Sequence, residues 1–176
     1  MDHADKSYMR MPKIFLRGTH SNIAKQFYEN SEHQWILSDQ RILECFKLVL
    51  ETLNKNKRMQ SFLKNSLFIR TNGSYACAIT GKKIVILIYP ELISIMKSNN
   101  YKQAVAVLLH EVGHIILDHQ QRDITNTMAQ IEADLFSSEL GYGEYLFDFL
   151  NERNQGPQIQ KRLQALKHVL KKSALF

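Results

Sequence analysis

Two histidines and a glutamate are arranged as His-Glu-x-x-His at residues 110–114. On a helix, residues four apart lie one above the other, so the rings of His110 and His114 can reach a single metal ion. Glu111 is then angled to hold a water molecule bound to that ion and to accept its proton. Zinc in this position lowers the pKa of the water and polarises a peptide carbonyl. The spacing therefore predicts peptide-bond hydrolysis, with His110 and His114 as zinc ligands and Glu111 as the general base.

The surroundings of this motif strengthen the prediction. Asn100 and Gln103 resemble a capping box, and they begin a predicted helix that is apolar on nearly every side as far as Ile116. Such a helix should be central and buried. Two imidazole rings and a carboxylate are costly to bury without a partner, and a metal ion provides one. A single buried histidine is usually structural, but two at this spacing around a glutamate indicate a metal site.

A wider set of residues carries a resemblance to a known family. It consists of the strand-rich stretch 72–86, the helical segment 104–114, His119, and the triplet Glu132-Ala133-Asp134. Together they resemble the gluzincin metallopeptidases, above all the group of the CAAX prenyl protease and the heat-shock protease HtpX, in a soluble, minimal form. The resemblance covers roughly residues 66–150. The second choice is the ImmA/IrrE-type peptidases, which are cytosolic, cleave repressors and share HExxH followed by a helix rich in Glu and Ala.

The resemblance implies a zinc endopeptidase acting on a protein or peptide, with an α+β, zincin-like fold. In that fold a small sheet containing antiparallel strands packs against the HExxH helix and further helices. Carried over residue by residue, the resemblance makes His110 and His114 ligands of one Zn²⁺ per chain, Glu111 the base, and Asp134 the partner that fixes the tautomer of a histidine. In zincins the strand before this helix often binds an extended substrate by edge addition. Residues 84–89 could have this role, or they could form a buried core strand.

The third zinc ligand is where the sequence departs from the family. The family has a glutamate four residues before the aspartate, and here that position is Gln130, which is neutral and a poor zinc ligand. Glu132 is predicted instead, because zinc sites favour carboxylates over carboxamides, with Asp134 and Gln130 as alternatives. Glu132 and Asp134 differ by about 200° around a helix, so both can face the metal only if the helix is distorted or starts late. Gln130 also motivates a second hypothesis: a peptidase-like fold that binds protein or nucleic acid and is catalytically weak or inactive.

His119 is the next histidine after the motif. It lies five residues beyond His114, about 140° further around a continuous helix. It could be an additional ligand or a gate, but this angle favours a position on the surface.

The other elements follow from apolar spacing and turn residues. A helix is predicted from Ser38, its N-cap, to Leu53. A small sheet with a hairpin at Gly81 is predicted from the β-branched runs at 66–70, 75–79 and 83–89. Further helices are predicted at 91–97, from the connection at 120–126 to about residue 140, and at 157–172. The last of these is amphipathic, with lysines opposite its apolar stripe, so its basic face should be solvated.

Length and composition favour one ordinary globular domain. The chain has 176 residues, 44% hydrophobic and 23% charged, so we expect a single domain over 1–176 with its core at about 38–150. The longest strongly apolar run, 84–89, is too short to span a bilayer, and the first residues lack the apolar core of a signal peptide. Two cysteines do not make a disulfide framework. These features predict a cytoplasmic protein without a membrane segment.

The net charge of +6 is unevenly distributed along the chain. Residues 1–70 carry 12 basic and 7 acidic side chains, residues 71–150 carry 5 and 9, and residues 151–176 carry 6 and 1. A basic envelope around an acidic middle could attract nucleic acid, but no nucleic-acid-binding motif accompanies it. Solvated lysine faces are therefore the favoured interpretation, and nucleic acid stays a partner without a supporting motif.

Overall fold

The structure, a computed structural model, describes residues 22–72, 76–79, 83–153 and 156–173. Its helices are α1 (Asn22–Glu29), α2 (Gln34–Leu37), α3 (Gln40–Leu53), α4 (Lys57–Asn65), α5 (Pro90–Met96), α6 (Tyr101–Ile116), α7 (Asn126–Ser137), α8 (Gly143–Asn151) and α9 (Pro157–Ser173). Its strands are β1 (Ser66–Arg70), β2 (Ala76–Ile79) and β3 (Ile84–Ile88). The fold is therefore a helix-rich α+β arrangement around a small sheet. Within these ranges, no helix has the length and apolar character needed to cross a bilayer.

The sheet is mixed, with the strands in the order β1-β3-β2. β3 pairs in parallel with β1, where Phe68 lies opposite Ile86, and antiparallel with β2, where Ala78 lies opposite the same Ile86. The predicted turn at Gly81 between these two antiparallel strands lies outside the described residues. Because both edges of β3 are paired, β3 is a core strand and cannot add an extended peptide. β2 also packs against α6.

Helix α6 lies at the centre of the fold. Its residues from Ala104 to Leu109 are buried, and it packs against α3, α5, α7 and α8, which confirms the predicted central position. The predicted capping box is wrong. Asn100 is the N-cap, but its side chain makes no cap hydrogen bond, and Gln103 Nε2 instead donates to Glu152 Oε1 at 3.2 Å.

Side-chain caps correct two predicted boundaries in the first half of the chain. α3 begins at Gln40 with Asp39 as its N-cap, not Ser38, because the Asp39 carboxylate accepts from two backbone N–H groups of the first turn. The sequence pattern does not predict α4 (Lys57–Asn65), because the polar run 54–58 predicts only the end of α3. Asn56 within that run caps α4 by accepting a backbone N–H.

The second half holds a helix that the sequence pattern does not predict. After α7 the chain makes a wide helical turn, in which Gly141 has a φ of 91°, a conformation that favours glycine. α8 then begins at Gly143 and packs against α6 and α9. The predicted C-terminal amphipathic helix is confirmed as α9, which buries Leu163 and Leu166 and packs against α7 and α8.

His33 connects the N-terminal helices to the sheet. It is 1% exposed, and its ring stacks on Phe27 with a centroid distance of 4.0 Å. His33 Nδ1 donates to the carbonyl of Phe27 at 2.7 Å, and Nε2 accepts from the N–H of Phe68 in β1 at 3.0 Å. These two bonds require the neutral ring, protonated at Nδ1. Burial accordingly lowers the pKa of His33 below its usual value of 6.5.

We therefore expect the protein to lose stability in mild acid. Below pH 6.5 the unfolded chain takes up a proton at His33 that the folded protein resists, so the free energy of unfolding falls as the pH falls. Urea denaturation at a series of pH values between about 7 and about 5 measures this slope. His33→Gln should make this slope shallower, whereas His168→Gln, at an exposed position on α9, should leave it unchanged. A His33→Gln protein that keeps the full wild-type slope would contradict this role.

Candidate metal centre between helices α6 and α7

His110 and His114 lie one turn apart on α6, with their rings directed at the same point. Their Nε2 atoms are 3.1 Å apart, and the ring planes are nearly perpendicular at 87°. A tetrahedral zinc ion with bonds of about 2.0–2.1 Å holds two imidazole nitrogens about 3.3 Å apart. Burial, together with the neighbouring His110 and His119, lowers the pKa of His114 to about 3, so this ring is neutral. The spacing of the two rings and the neutral state of His114 therefore suit one shared metal ion.

Asp134 of α7 lies behind His110. Its Oδ1 is 2.8 Å from His110 Nδ1, but the contact does not have the geometry of a hydrogen bond. Arg162 of α9 donates from Nε and Nη2 to the two carboxylate oxygens of Asp134, each at 2.7 Å. Burial alone would raise the pKa of Asp134, but the two hydrogen bonds from Arg162 and the close approach of His110 outweigh it and hold that pKa below its usual value. An ionised Asp134 favours the Nδ1–H tautomer of His110, whose Nε2 lone pair then faces His114.

Glu111, the residue after His110, lies against strand β2. Its carboxylate accepts a backbone hydrogen bond from Ala78. Burial raises the pKa of Glu111, and this outweighs the lowering by His110, Arg162 and the Ala78 hydrogen bond. A carboxylate with a raised pKa is better matched to proton transfer near neutral pH. Glu111 therefore has the environment of a general base.

Gly113, inside the motif, lets α6 and α7 approach each other closely. A Cβ atom at this position would lie 3.1 Å from Cδ1 of Phe136 and 3.3 Å from Cα of Ala133, both tighter than ordinary van der Waals contact. A larger residue here would require Phe136 and the backbone at Ala133 to shift by a few tenths of an ångström. The close approach brings the side chains of α7 within reach of the two histidines.

Helix α7 presents different side chains on its two faces. Gln130 and, one turn later, Asp134 face α6, and Gln130 Nε2 lies 3.3 Å from His114 Nε2. Glu132 lies on the other face, where Arg122 donates to both of its carboxylate oxygens at 2.5 and 3.0 Å. The hydrogen bond from Arg122 lowers the pKa of Glu132, which is therefore ionised. The structure thus places Gln130, and not Glu132, beside Nε2 of His114.

His119 does not lie on a continuation of α6. The chain reverses at Asp118, which has a φ of 56°. The N–H of His119 donates to the carbonyl of His114 at 3.0 Å and the N–H of Asp118 to that of Ile115 at 3.1 Å, as in a Schellman motif. This reversal brings His119 Nδ1 to 2.8 Å from His114 Nδ1 and leaves the side chain 4% exposed. The predicted surface position is therefore wrong, because it assumed an uninterrupted helix.

Two arginines at this centre are not predicted from the sequence. Arg122 lies in a polar connection, where nothing local distinguishes it from a solvated residue. Arg162 belongs to α9, whose basic face is predicted to be solvated, but it lies three residues after Ile159 and four before Leu166, which places it on the apolar stripe. A charged residue on an apolar stripe is seldom buried without a partner of opposite charge, so the position of Arg162 indicates a buried acidic partner.

The side chains fit a zinc ion through two imidazole nitrogens and one carboxamide. Within the described ranges, no three His, Cys, Asp or Glu side chains converge as metal ligands. The third side chain beside His110 and His114 is Gln130, and a half-turn of its amide exchanges nitrogen for oxygen and presents Oε1 to the same point. The side chains at this point thus offer zinc two imidazole nitrogens and one neutral, weak oxygen donor.

Comparison with known proteins assigns the middle of the chain to a family. The sequence model of peptidase family M48 matches residues 47–139, which include α6, α7 and the whole His-Glu-x-x-His motif. No curated protein and no solved structure matches the chain. Helix α9, with Arg162, lies beyond the matched residues.

Proposed function

The chain belongs to peptidase family M48, and from this premise we propose that it is a zinc-dependent endopeptidase that hydrolyses peptide bonds in proteins or peptides. Family membership confirms the resemblance to the CAAX prenyl protease and HtpX group. The observation that carries the proposal is the pair of Nε2 atoms 3.1 Å apart, on His110 and His114, with the partly buried Glu111 between them in the chain.

Each side chain then has a chemical role. His110 and His114 hold one Zn²⁺ per chain through Nε2, and Asp134 keeps the proton of His110 on Nδ1. When bound, zinc supplies a Lewis acid that polarises the peptide carbonyl and acidifies water. The carboxylate of Glu111 accepts a proton from the attacking water and passes it to the nitrogen of the leaving amine.

Strand β2 is the proposed binding element for an extended substrate. It forms one side of the described sheet, and its residue Ala78 donates a backbone hydrogen bond to Glu111. A peptide that pairs with β2 would therefore run past the general base. Backbone hydrogen bonds along a strand provide affinity without depending on particular side chains.

The proposed location is the cytoplasm, as the sequence predicts. Cys45 and Cys77 are both free thiols, which suits a reducing compartment. The extent of the domain over 1–176 stays a prediction.

A second candidate function is supported by Gln130. A carboxamide in place of a carboxylate weakens the metal site, and a fold with a weak site can persist as a binding module for protein or nucleic acid with little hydrolysis. This alternative predicts little retained zinc.

Zinc content tests the proposal. Purified protein rinsed with a mild chelator should keep one zinc ion per chain by elemental analysis, and His110→Ala should lose it. The position of Gln130 beside the histidines predicts that Gln130→Ala weakens zinc binding while Glu132→Gln retains it. A parent protein without zinc would overturn the zinc-peptidase proposal in favour of the binding module. Loss of zinc from Glu132→Gln, with Gln130→Ala unaffected, would make Glu132 the third ligand, as the sequence predicts.

A further inference from the structure

A chain of side chains extends from His114 away from the metal-facing side. His114 Nδ1 lies 2.8 Å from His119 Nδ1. His119 Nε2 lies 3.1 Å from Glu132 Oε2, and both oxygens of Glu132 accept hydrogen bonds from Arg122. The His119 side chain is 4% exposed, so solvent does not compete strongly for its two ring nitrogens. Both ring nitrogens of His119 and both carboxylate oxygens of Glu132 therefore have partners within the chain.

The ring protons of His119 and His114 can be assigned by starting from the ion pair between Arg122 and Glu132. Glu132 is ionised beside Arg122, so it can only accept, and His119 Nε2 must be the donor. In the form of His119 that has one ring proton, that proton is therefore on Nε2, and Nδ1 is an acceptor. The donor in the 2.8 Å contact between the two Nδ1 atoms is then His114. Consequently His114 Nε2 has no proton, and its lone pair is directed towards His110 and Gln130.

We propose that His119 is a positioning residue that, with Glu132 and Arg122, holds His114 in the tautomer and orientation in which Nε2 can bind zinc. This inference rests on the proposed function, because His114 must be a metal ligand for its tautomer to matter. It also gives Glu132 a role other than that of a ligand.

The arrangement has a counterpart at the other histidine. His110 Nδ1 lies 2.8 Å from Asp134, whose carboxylate is held by Arg162. Each histidine is thus connected to a carboxylate that accepts two hydrogen bonds from an arginine. His110 contacts its carboxylate directly, and His114 is connected to its carboxylate through His119. Both carboxylates come from α7, two residues apart, so the opposite faces of one helix orient the two rings.

Zinc affinity and a nuclear magnetic resonance signal together test the role of His119. His119→Leu replaces the acceptor ring with an apolar side chain of similar size. We expect its zinc affinity, measured by chelator competition, to fall about 10–100-fold. His119→Asn keeps an acceptor oxygen near the position of Nδ1 and should recover most of this loss. In the zinc-loaded, nitrogen-15-labelled protein, the Nδ1–H signal of His114 should be protected from solvent exchange in wild type and His119→Asn and be lost in His119→Leu. His168→Leu, at an exposed position, is the matched control.

The outcomes separate this inference from the proposed function. Wild-type zinc affinity in His119→Leu, with zinc lost from His110→Ala, would overturn the inference and leave the proposed function standing. Equal losses in His119→Leu and His119→Asn, with the His114 signal unchanged, would mean that His119 only packs. Complete loss of zinc from Glu132→Gln would make Glu132 a ligand and also overturn it. A wild-type protein without zinc would overturn both. Thermal unfolding of each variant in chelator shows whether the fold itself is intact.

Discussion

Replacing Glu111 by glutamine should abolish peptide hydrolysis and leave the zinc content unchanged. Glutamine has the shape of glutamate but cannot accept the proton of the attacking water, and such a proton transfer contributes about 10²–10⁴-fold to rate. The backbone hydrogen bond from Ala78 can still be accepted by the amide oxygen, so the packing of α6 against β2 should persist. Cleavage of denatured casein and of a fluorogenic peptide library by zinc-loaded protein measures the loss.

The matched control is Glu144→Gln, which removes the same charge at an exposed position on α8 and should leave the rate unchanged. Wild-type cleavage by the Glu111→Gln protein would exclude Glu111 as the base. A zinc-loaded wild-type protein that cleaves none of these substrates would favour the binding module over the peptidase. Loss of zinc from Glu111→Gln would show that the carboxylate also supports the metal site.

Replacing Arg162 by methionine should destabilise the whole fold. Asp134 is completely buried, and its carboxylate receives two hydrogen bonds of 2.7 Å from Arg162. Removing one partner of a buried pair leaves an uncompensated charge, which typically costs about 3–5 kcal/mol. The pKa of Asp134 should rise in the variant, because burial then acts with only His110 to oppose it. Urea denaturation in the presence of a chelator measures the loss without any contribution from bound metal.

A double-mutant cycle distinguishes the lost pair from general damage to α9. Asp134→Asn combined with Arg162→Met removes both charges, so the double variant should be more stable than the sum of the single losses implies. Lys161→Met, at the exposed neighbouring position, should change stability by no more than about 0.5 kcal/mol. An Arg162→Met protein as stable as this control would show that α9 contributes only apolar packing.

The helix that bears the motif could be predicted because its pattern is local. Apolar residues surround His110 and His114, and the spacing of four residues is itself the geometry that brings two rings together on a helix. The same reasoning shows that Glu132 and Asp134 point in opposite directions, and the structure has them on opposite faces of α7. The sequence does not identify Asp39 and Asn56 as N-caps, because Ser38 is an equally good cap residue and the polar run around Asn56 is equally compatible with the end of a helix.

The sequence by itself determined the spacing of the two histidines and of Glu111, the proposed base, and the buried helix that positions them, since all of these depend on residues within a few turns of one another. Tertiary structure alone decided which face of α7 meets the histidines, and therefore that Gln130 lies beside them. It also decided the partners of Asp134 and His119. Arg162 reaches Asp134 from a helix 28 residues later in the chain, and His119 returns to His114 only because the helix ends and reverses at Asp118. Contacts of this kind depend on how helices pack and where they end, and no local periodicity encodes either.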